Sequence, residues 1–271
     1  MKLALNGRLQ PATGTEMVEL PSAPGVFETL LIRGRETVFF DDHWERFAAG
    51  CRWHGFGPPA LPEEVIRLTE ILAAENRIST GVLRFAAWRA GEGVEWRVEV
   101  APPRPHQSRG EFRLGSGAVL PAPTPDRPFK HLNRGPWLEA LRAARAANAD
   151  EAILCDTAGR LVEGCVSNLF FVRDGGLHTP SLEMGPLPGV MRRRVLELAR
   201  RLRWPVSEGS FAVADLAGAA EIWLSNSLIG LRSAVGPQVL QADPARPALQ
   251  RFRAAWKKNY GWDPVVVAPA G

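Results

Sequence analysis

"FKHLNRGPW", Phe129 to Trp137, sets a lysine, a histidine, an asparagine and an arginine within five residues, directly ahead of a helical pattern. The stretch before it, "PAPTPDRPF" from Pro121 to Phe129, holds four prolines in nine residues. Proline fixes φ and lacks a donor, so this segment is neither helix nor central strand. The stretch after it, "GPWLEALRAARAANA", reads as a helix with Pro136 near its start, where a missing N–H costs nothing. The polar cluster therefore follows a break in the chain. The division predicted from it is a smaller N-terminal α/β domain over 1–120, a linker over 121–129 and a larger C-terminal domain over 130–271. A proline-stiffened connection between two lobes is a setting in which ligand sites form.

Length and composition agree with a folded two-lobed chain. The 271 residues are 45% hydrophobic and 23% charged, which is ordinary for a globular protein and unlike a disordered one. The formal charge of +4 comes from arginine spread along the chain, without a basic tail or basic runs interleaved with stacking aromatics. That pattern favours anionic small molecules over nucleic acid. Cys51, Cys155 and Cys165 are odd in number and lack the spacing of a zinc site, so a reducing compartment and no structural metal are expected. "MKLALNGRLQ" turns polar at Asn6 and is not a signal peptide, and no apolar run is long enough for a membrane span. The expected address is the cytoplasm.

Outward from the central stretch, periodicity assigns the elements. On the N-terminal side "LALNGRLQ" turns around Asn6-Gly7, "VFETLLI" and "TVFF" form a hairpin through "RGRE", and "VLRFAAW" pairs with "VEWRVEV" through "RAGEG". Two helices lie between them: "DDHWERFAAGCRW", and "LPEEVIRLTEILAAENRI" with Val65, Leu68, Ile71 and Leu72 at helical spacing. On the C-terminal side "EAILCD", "RLVEG", "NLFFVRD" and "LHTP" are short strands, "PGVMRRRVLELARRL" is a helix, "EIWLSN" begins another strand pair, and "ALQRFRAAWKKN" closes as a helix. The fold class is α/β (α+β) in two domains.

Several residues can carry chemistry, and each also has an ordinary reading. Lys130, flanked by Phe129 and Leu132, is a nucleophile if desolvated and a solvated cation if not. Glu163 ends a strand before a glycine and a small polar pair, where another group can approach, or it is a carboxylate at a turn. Arg46 is either an anion clamp or a helix-face cation. Pro188-Gly189 opens a helix whose free N–H groups suit a phosphate, as at any helix start. "WLSNSLIG" ends a strand in hydroxyls and an amide that suit a ligand or a turn.

Their order resembles one family. The blocks "GVFETLLIRG", "FDDHWERF", "FKHLNRG", "ADEAILCDTAGRLVEGCVSNLFFV", "LHTPSLEMGPLPGVMRRRVLELA" and "IWLSNSLIGLRSAVG" are similar to the fold-type IV pyridoxal-phosphate enzymes. This is the class IV aminotransferase family, which includes D-amino acid and branched-chain aminotransferases and aminodeoxychorismate lyase. "KHLNR" most resembles the lyase branch. Transaminase branches more often carry a tyrosine at the place of Arg134, and the one tyrosine here is Tyr260.

The resemblance implies pyridoxal 5'-phosphate as cofactor and a D-amino acid aminotransferase-like fold. Lys130 would hold the cofactor covalently and act as the catalytic base, and Glu163 would accept a hydrogen bond from the pyridine nitrogen. Arg46, the N–H groups of Val190 and Met191, and Asn226 with Ser227 would hold the phosphate. Asn133, Arg134 and Arg89 would serve a substrate bearing an amine and carboxylates. The implied reaction is loss of pyruvate from 4-amino-4-deoxychorismate to give 4-aminobenzoate. The alternative is transamination of D- or branched-chain amino acids with 2-oxoglutarate. A homodimer is also implied. A non-catalytic relative would lack Lys130 or Glu163, and both are present. One departure stands in "ELPSAPGVFETL", which keeps only the last glycine of the Asp-Arg and Gly-Asp-Gly runs common before this block.

Overall fold

The computed structural model describes residues 1–14, 17–103, 111–115, 118–120, 128–236 and 245–264. The chain divides into two units. One is built from Met1–Gln107 with Phe129–Arg134, the other from Ser108–Pro128 with Gly135–Pro269. The expected boundaries therefore shift. The segment bearing Lys130 belongs with the N-terminal unit, although it was assigned to the C-terminal domain. The stretch taken as the linker lies mostly outside the described residues, which resume at Pro128.

The first unit holds strands β1 (Lys2–Leu5), β2 (Arg8–Pro11), β3 (Gly25–Arg33), β4 (Glu36–Thr37), β5 (Thr80–Ala90) and β6 (Gly93–Ala101), with helices α1 (Phe40–Trp53) and α2 (Pro62–Glu75). The strands form an antiparallel sheet in the order β2-β1-β6-β5-β3-β4. Its first hairpin turns where Asn6 and Gly7 both take positive φ, the backbone that Asn-Gly adopts most cheaply. Alternation puts Val26, Leu30 and Ile32 of β3 on one face with Leu83 and Phe85 of β5 and Val98 and Val100 of β6. That face is covered by Phe47 and Cys51 of α1 and by Val65, Leu68 and Leu72 of α2, as the helical spacing predicts. "TVFF" is only partly a strand. Phe39 sits in the left-handed region at φ 55, and Phe40 already begins α1. Phe40 leaves the sheet because its ring packs on Trp44 and Phe85.

Phe129–Arg134 continues this sheet along β3. The Phe27 N–H donates to the Lys130 carbonyl at 2.9 Å, the Leu132 N–H donates to the Gly25 carbonyl at 3.0 Å, and Val26 bridges His131.

The second unit contains β7 (Glu111–Gly115), α3 (Gly135–Ala146), β8 (Glu151–Cys155), β9 (Leu161–Gly164), β10 (Asn168–Arg173), β11 (Gly176–Pro180), α4 (Val190–Arg201), β12 (Val206–Gly209), β13 (Glu221–Asn226), β14 (Gly230–Val235) and α5 (Pro247–Tyr260). Its sheet runs β12-β11-β10-β13-β14-β7-β8-β9. The pairs β11–β12, β14–β7 and β7–β8 are parallel. Ala140, Leu141 and Ala144 of α3 bury against Ala152 and Leu154 of β8 and Val162 of β9. Glu221 accepts from the Ala248 and Leu249 N–H groups and so anchors the start of α5, whose Phe252 packs on Trp223.

Candidate active site

In the first unit the chemistry gathers around Lys130. The Phe27 N–H bond fixes its backbone, and its Nζ lies 4.5 Å from the centre of the Phe27 ring. Burial drives its ammonium down to about 7, against the upward pull of Glu28 and with Arg134, Arg46 and Arg84 adding to the fall. A lysine in this state is neutral for much of the time near pH 7. It can act as a nucleophile and as a base.

Glu28, on β3, is the centre of a buried network that the sequence reading did not single out. Its side chain is 1% exposed. Arg46 grips it from α1 through Nε to Oε1 at 2.7 Å and Nη2 to Oε2 at 2.8 Å, and His43 Nδ1 lies 2.7 Å from Oε2. Burial pushes the Glu28 carboxyl up, but Arg46 and His43 together outweigh it and hold it well below the usual carboxylate range. Burial keeps His43 below its ordinary value in turn. The His43-x-x-Arg46 spacing places both side chains on one face of α1, and that face meets β3. Arg46 therefore presents its Nε–Nη2 edge to Glu28, which narrows how it could meet a phosphate.

In the second unit Glu163 is buried on β9, 5% exposed. Its Oε1 accepts from the Trp137 indole N–H at 2.9 Å and its Oε2 from the Leu187 N–H at 2.9 Å. The turn after Glu163 is organised by Glu151, whose carboxylate accepts from Cys165 N at 2.8 Å and from Ser167 Oγ at 2.9 Å. Gly164 has no room for a side chain, because a Cβ would lie 2.4 Å from Ser167 Oγ.

Val190 and Met191 open α4, with extended Gly189 as the residue before it. Asn168 donates to the Leu187 carbonyl at 2.8 Å, and its Oδ1 lies where a Cβ on Gly189 would come within 2.0 Å. The loop into α4 thus needs glycine for close approach rather than for a positive φ. Hydrogen bonds link Glu163 to Leu187, Leu187 to Asn168, and Val166 to Asn226, so Glu163, the start of α4 and Asn226 belong to one framework.

Asn226 and Arg89 both have partners within the protein. The Asn226 side chain is turn chemistry: its Oδ1 accepts from Leu228 and Ile229 N–H, and its Nδ2 donates to the Val166 carbonyl. Ser227 sits half-buried in that same turn. Arg89 donates through Nη2 to the Gly55 carbonyl at 2.6 Å, with its guanidinium 5.3 Å from the Phe56 ring centre, and so ties the α1–α2 loop to β5. Asn133 is exposed and Arg134 half-buried, both on the Lys130 segment. Among the described residues no group of three or more His, Cys, Asp and Glu could hold a metal, and no helix is long and apolar enough to cross a membrane.

A lysine whose ammonium is pushed down by burial and a buried, hydrogen-bonded carboxylate are each groups that enzymes use. The chain belongs to the amino-transferase class IV family, whose model matches residues 25–235. It is 33% identical over 187 residues to aminodeoxychorismate lyase of Vibrio harveyi, covering 69% of this chain and 59% of that protein's length. It is 27% identical over 227 residues to D-alanine aminotransferase of Listeria monocytogenes, covering 76% of this chain and 75% of the relative. The fold is similar to that of the branched-chain amino acid aminotransferase of Thermobaculum terrenum in its PLP form. That likeness has a TM-score of 0.80 at 20% identity and covers 97% of this chain and 94% of the other.

Proposed function

We propose that this chain is a pyridoxal 5'-phosphate-dependent lyase that converts 4-amino-4-deoxychorismate into 4-aminobenzoate and pyruvate. The observation that carries the reading is Lys130, an amine held near pH 7 by burial at the head of "KHLNR". The similarity to aminodeoxychorismate lyase supports the same branch.

The residues present fit the cofactor. Lys130 supplies an amine able to condense with an aldehyde. Glu163 supplies a buried carboxylate to accept from a ring N–H, and the Val190 and Met191 N–H groups supply a helix start for a phosphate. Arg46 adds positive charge for that phosphate, Ser227 a hydroxyl, and Asn226 holds the turn on which Ser227 sits. When bound, the cofactor supplies an electron sink for the substrate carbon that bears the amine. Lys130 takes the proton from that carbon. The enolpyruvyl C–O bond breaks, the ring becomes aromatic, and pyruvate departs after taking up a proton. Arg134 and Asn133, on the segment of Lys130, are assigned to the substrate carboxylates. No amine acceptor enters this balance.

The second reading is a class IV aminotransferase, favoured by the longer match to D-alanine aminotransferase. Purified holoenzyme given 4-amino-4-deoxychorismate alone should release 4-aminobenzoate and pyruvate in equal amounts, and Lys130→Ala should abolish this. Glutamate formed from 2-oxoglutarate with D-alanine or leucine, without 4-aminobenzoate, would move the chain to the aminotransferases.

A further inference from the structure

The Glu163 carboxylate is held by two donors of different kinds. Leu187 gives a main-chain N–H that every residue but proline would supply, whereas Trp137 gives a side-chain N–H that the sequence chose. We propose that Trp137 is a positioning residue that sets the orientation and basicity of Glu163, and through Glu163 the protonation of the bound cofactor's ring nitrogen. The inference rests on the cofactor reading above.

Three observations support it. An indole N–H can only donate, so it stabilises the anionic form of Glu163 and competes with protonation of Oε1. The carboxylate is buried, where a donor 2.9 Å away counts for more than in water. The indole is also not free to wander. Trp137 lies in the first turn of α3 and packs against the core formed by α3, β8 and β9, so its N–H is aimed before any ligand arrives. With Trp137 on Oε1 and Leu187 on Oε2, the plane of the carboxylate is fixed. Loss of the indole donor leaves Oε1 more basic and its direction less defined.

The test uses full-length apo protein titrated with pyridoxal 5'-phosphate, following affinity and the visible absorption band across pH. Trp137→Phe keeps a ring but no donor, and Trp137→Gln keeps a donor but no ring. The Phe variant should bind the cofactor on the order of tenfold more weakly, because a carboxylate no longer held in one orientation must be ordered as the ring arrives, and should shift the pH at which the band changes. The Gln variant should melt lower in the apo form yet bind closer to wild type than Phe does. In a Glu163→Gln background the Phe substitution should add nothing further, since its effect runs through that carboxylate. Wild-type affinity and band in Trp137→Phe overturn the proposal, as does simple additivity with Glu163→Gln. Should the Phe variant not fold, a folded Gln variant that binds tenfold more weakly with a displaced band overturns it instead. A wild-type protein that takes up no cofactor sinks the functional reading itself and this inference with it, which is a different result from wild-type binding with an unaffected variant.

Discussion

An amine that titrates near pH 7 attacks an aldehyde at a rate set by its neutral fraction, so Lys130 makes a pH prediction of definite sign. The rate of pyridoxal phosphate uptake by apo protein should climb about tenfold per unit below pH 7 and level off above it, as measured by stopped-flow absorbance. A bend near the ordinary lysine value would show that the amine is solvated. Stability moves in the same direction by linkage. Between about 7 and the reference value of 10.5 the unfolded chain binds a proton that the folded chain does not, so Lys130 weakens the fold most at and below pH 7. Apo Lys130→Met should be more stable than wild type in urea at pH 7, with the gap closing toward pH 10.5. Glu28 stabilises the fold where Lys130 weakens it. Its depressed carboxyl contributes stability above its ordinary range that is lost as pH falls below about 4.5, and Glu28→Ala, by stranding Arg46 and His43, should cost about 3–5 kcal/mol at pH 7. Lys130, Glu163 and Arg46 could be picked out of the sequence because each lies in an ordered block. Glu28 lies in one of those blocks too, yet nothing local reveals that a carboxylate on a strand will meet two α1 side chains three residues apart. At Asn226 the sequence alone does not tell an amide for a ligand from an amide for a turn, and the partners its side chain takes are those of a turn.

The turn after Glu163 is carried by short elements, and its geometry depends on a residue outside it. Glu151 on β8 gathers Cys165 N, Ser167 Oγ and, at 3.3 Å, Val166 N around its carboxylate. Burial raises its carboxyl while these bonds oppose the rise. Glu151→Gln replaces an acceptor by a donor facing N–H groups. It should lower stability by about 1–3 kcal/mol in chemical denaturation and weaken cofactor binding, whereas an exposed Glu139→Gln on α3 should do neither. Wild-type behaviour in Glu151→Gln would show that the turn after Glu163 holds its shape unaided. At this scale the reading of hairpins succeeded where Asn-Gly or Gly marked the turn, as at Asn6-Gly7 and Gly91. It missed β7 and β12, each only four or five residues long. β7 offers just Phe112 and Leu114 as a period-two signal, and β12 has the burial of an edge strand. Tertiary pairing, with β14 and β8 for the one and β11 for the other, makes them strands.

For the whole molecule, sequence order and structural membership differ. Composition, the six ordered blocks and the helical periodicities were enough to reach a two-unit α/β chain. The proline-rich break reads as a boundary, but the chain returns to its first unit for Phe129–Arg134 before leaving again. That return leaves no periodic pattern of apolar residues, because it rests on main-chain hydrogen bonds to β3, a His54–His131 contact and the packing of the single Phe129 on the first unit's core. A fragment ending at Gln107 would expose the β3 edge at Gly25–Phe27, and an open edge invites pairing between copies. Size-exclusion chromatography should show that fragment self-associating, and addition of a peptide spanning 129–134 should reduce the association. A monodisperse fragment would mean the edge is protected without the Lys130 segment.

The same return sets a clock on biosynthesis. β3 leaves the ribosome at Arg33, but the strip that completes its edge is made about 95 residues later, a delay of roughly 5–20 s at common elongation rates. Through that interval the nascent chain must shield an unfinished sheet, and the residue proposed to do the chemistry is itself the piece whose arrival ends the wait.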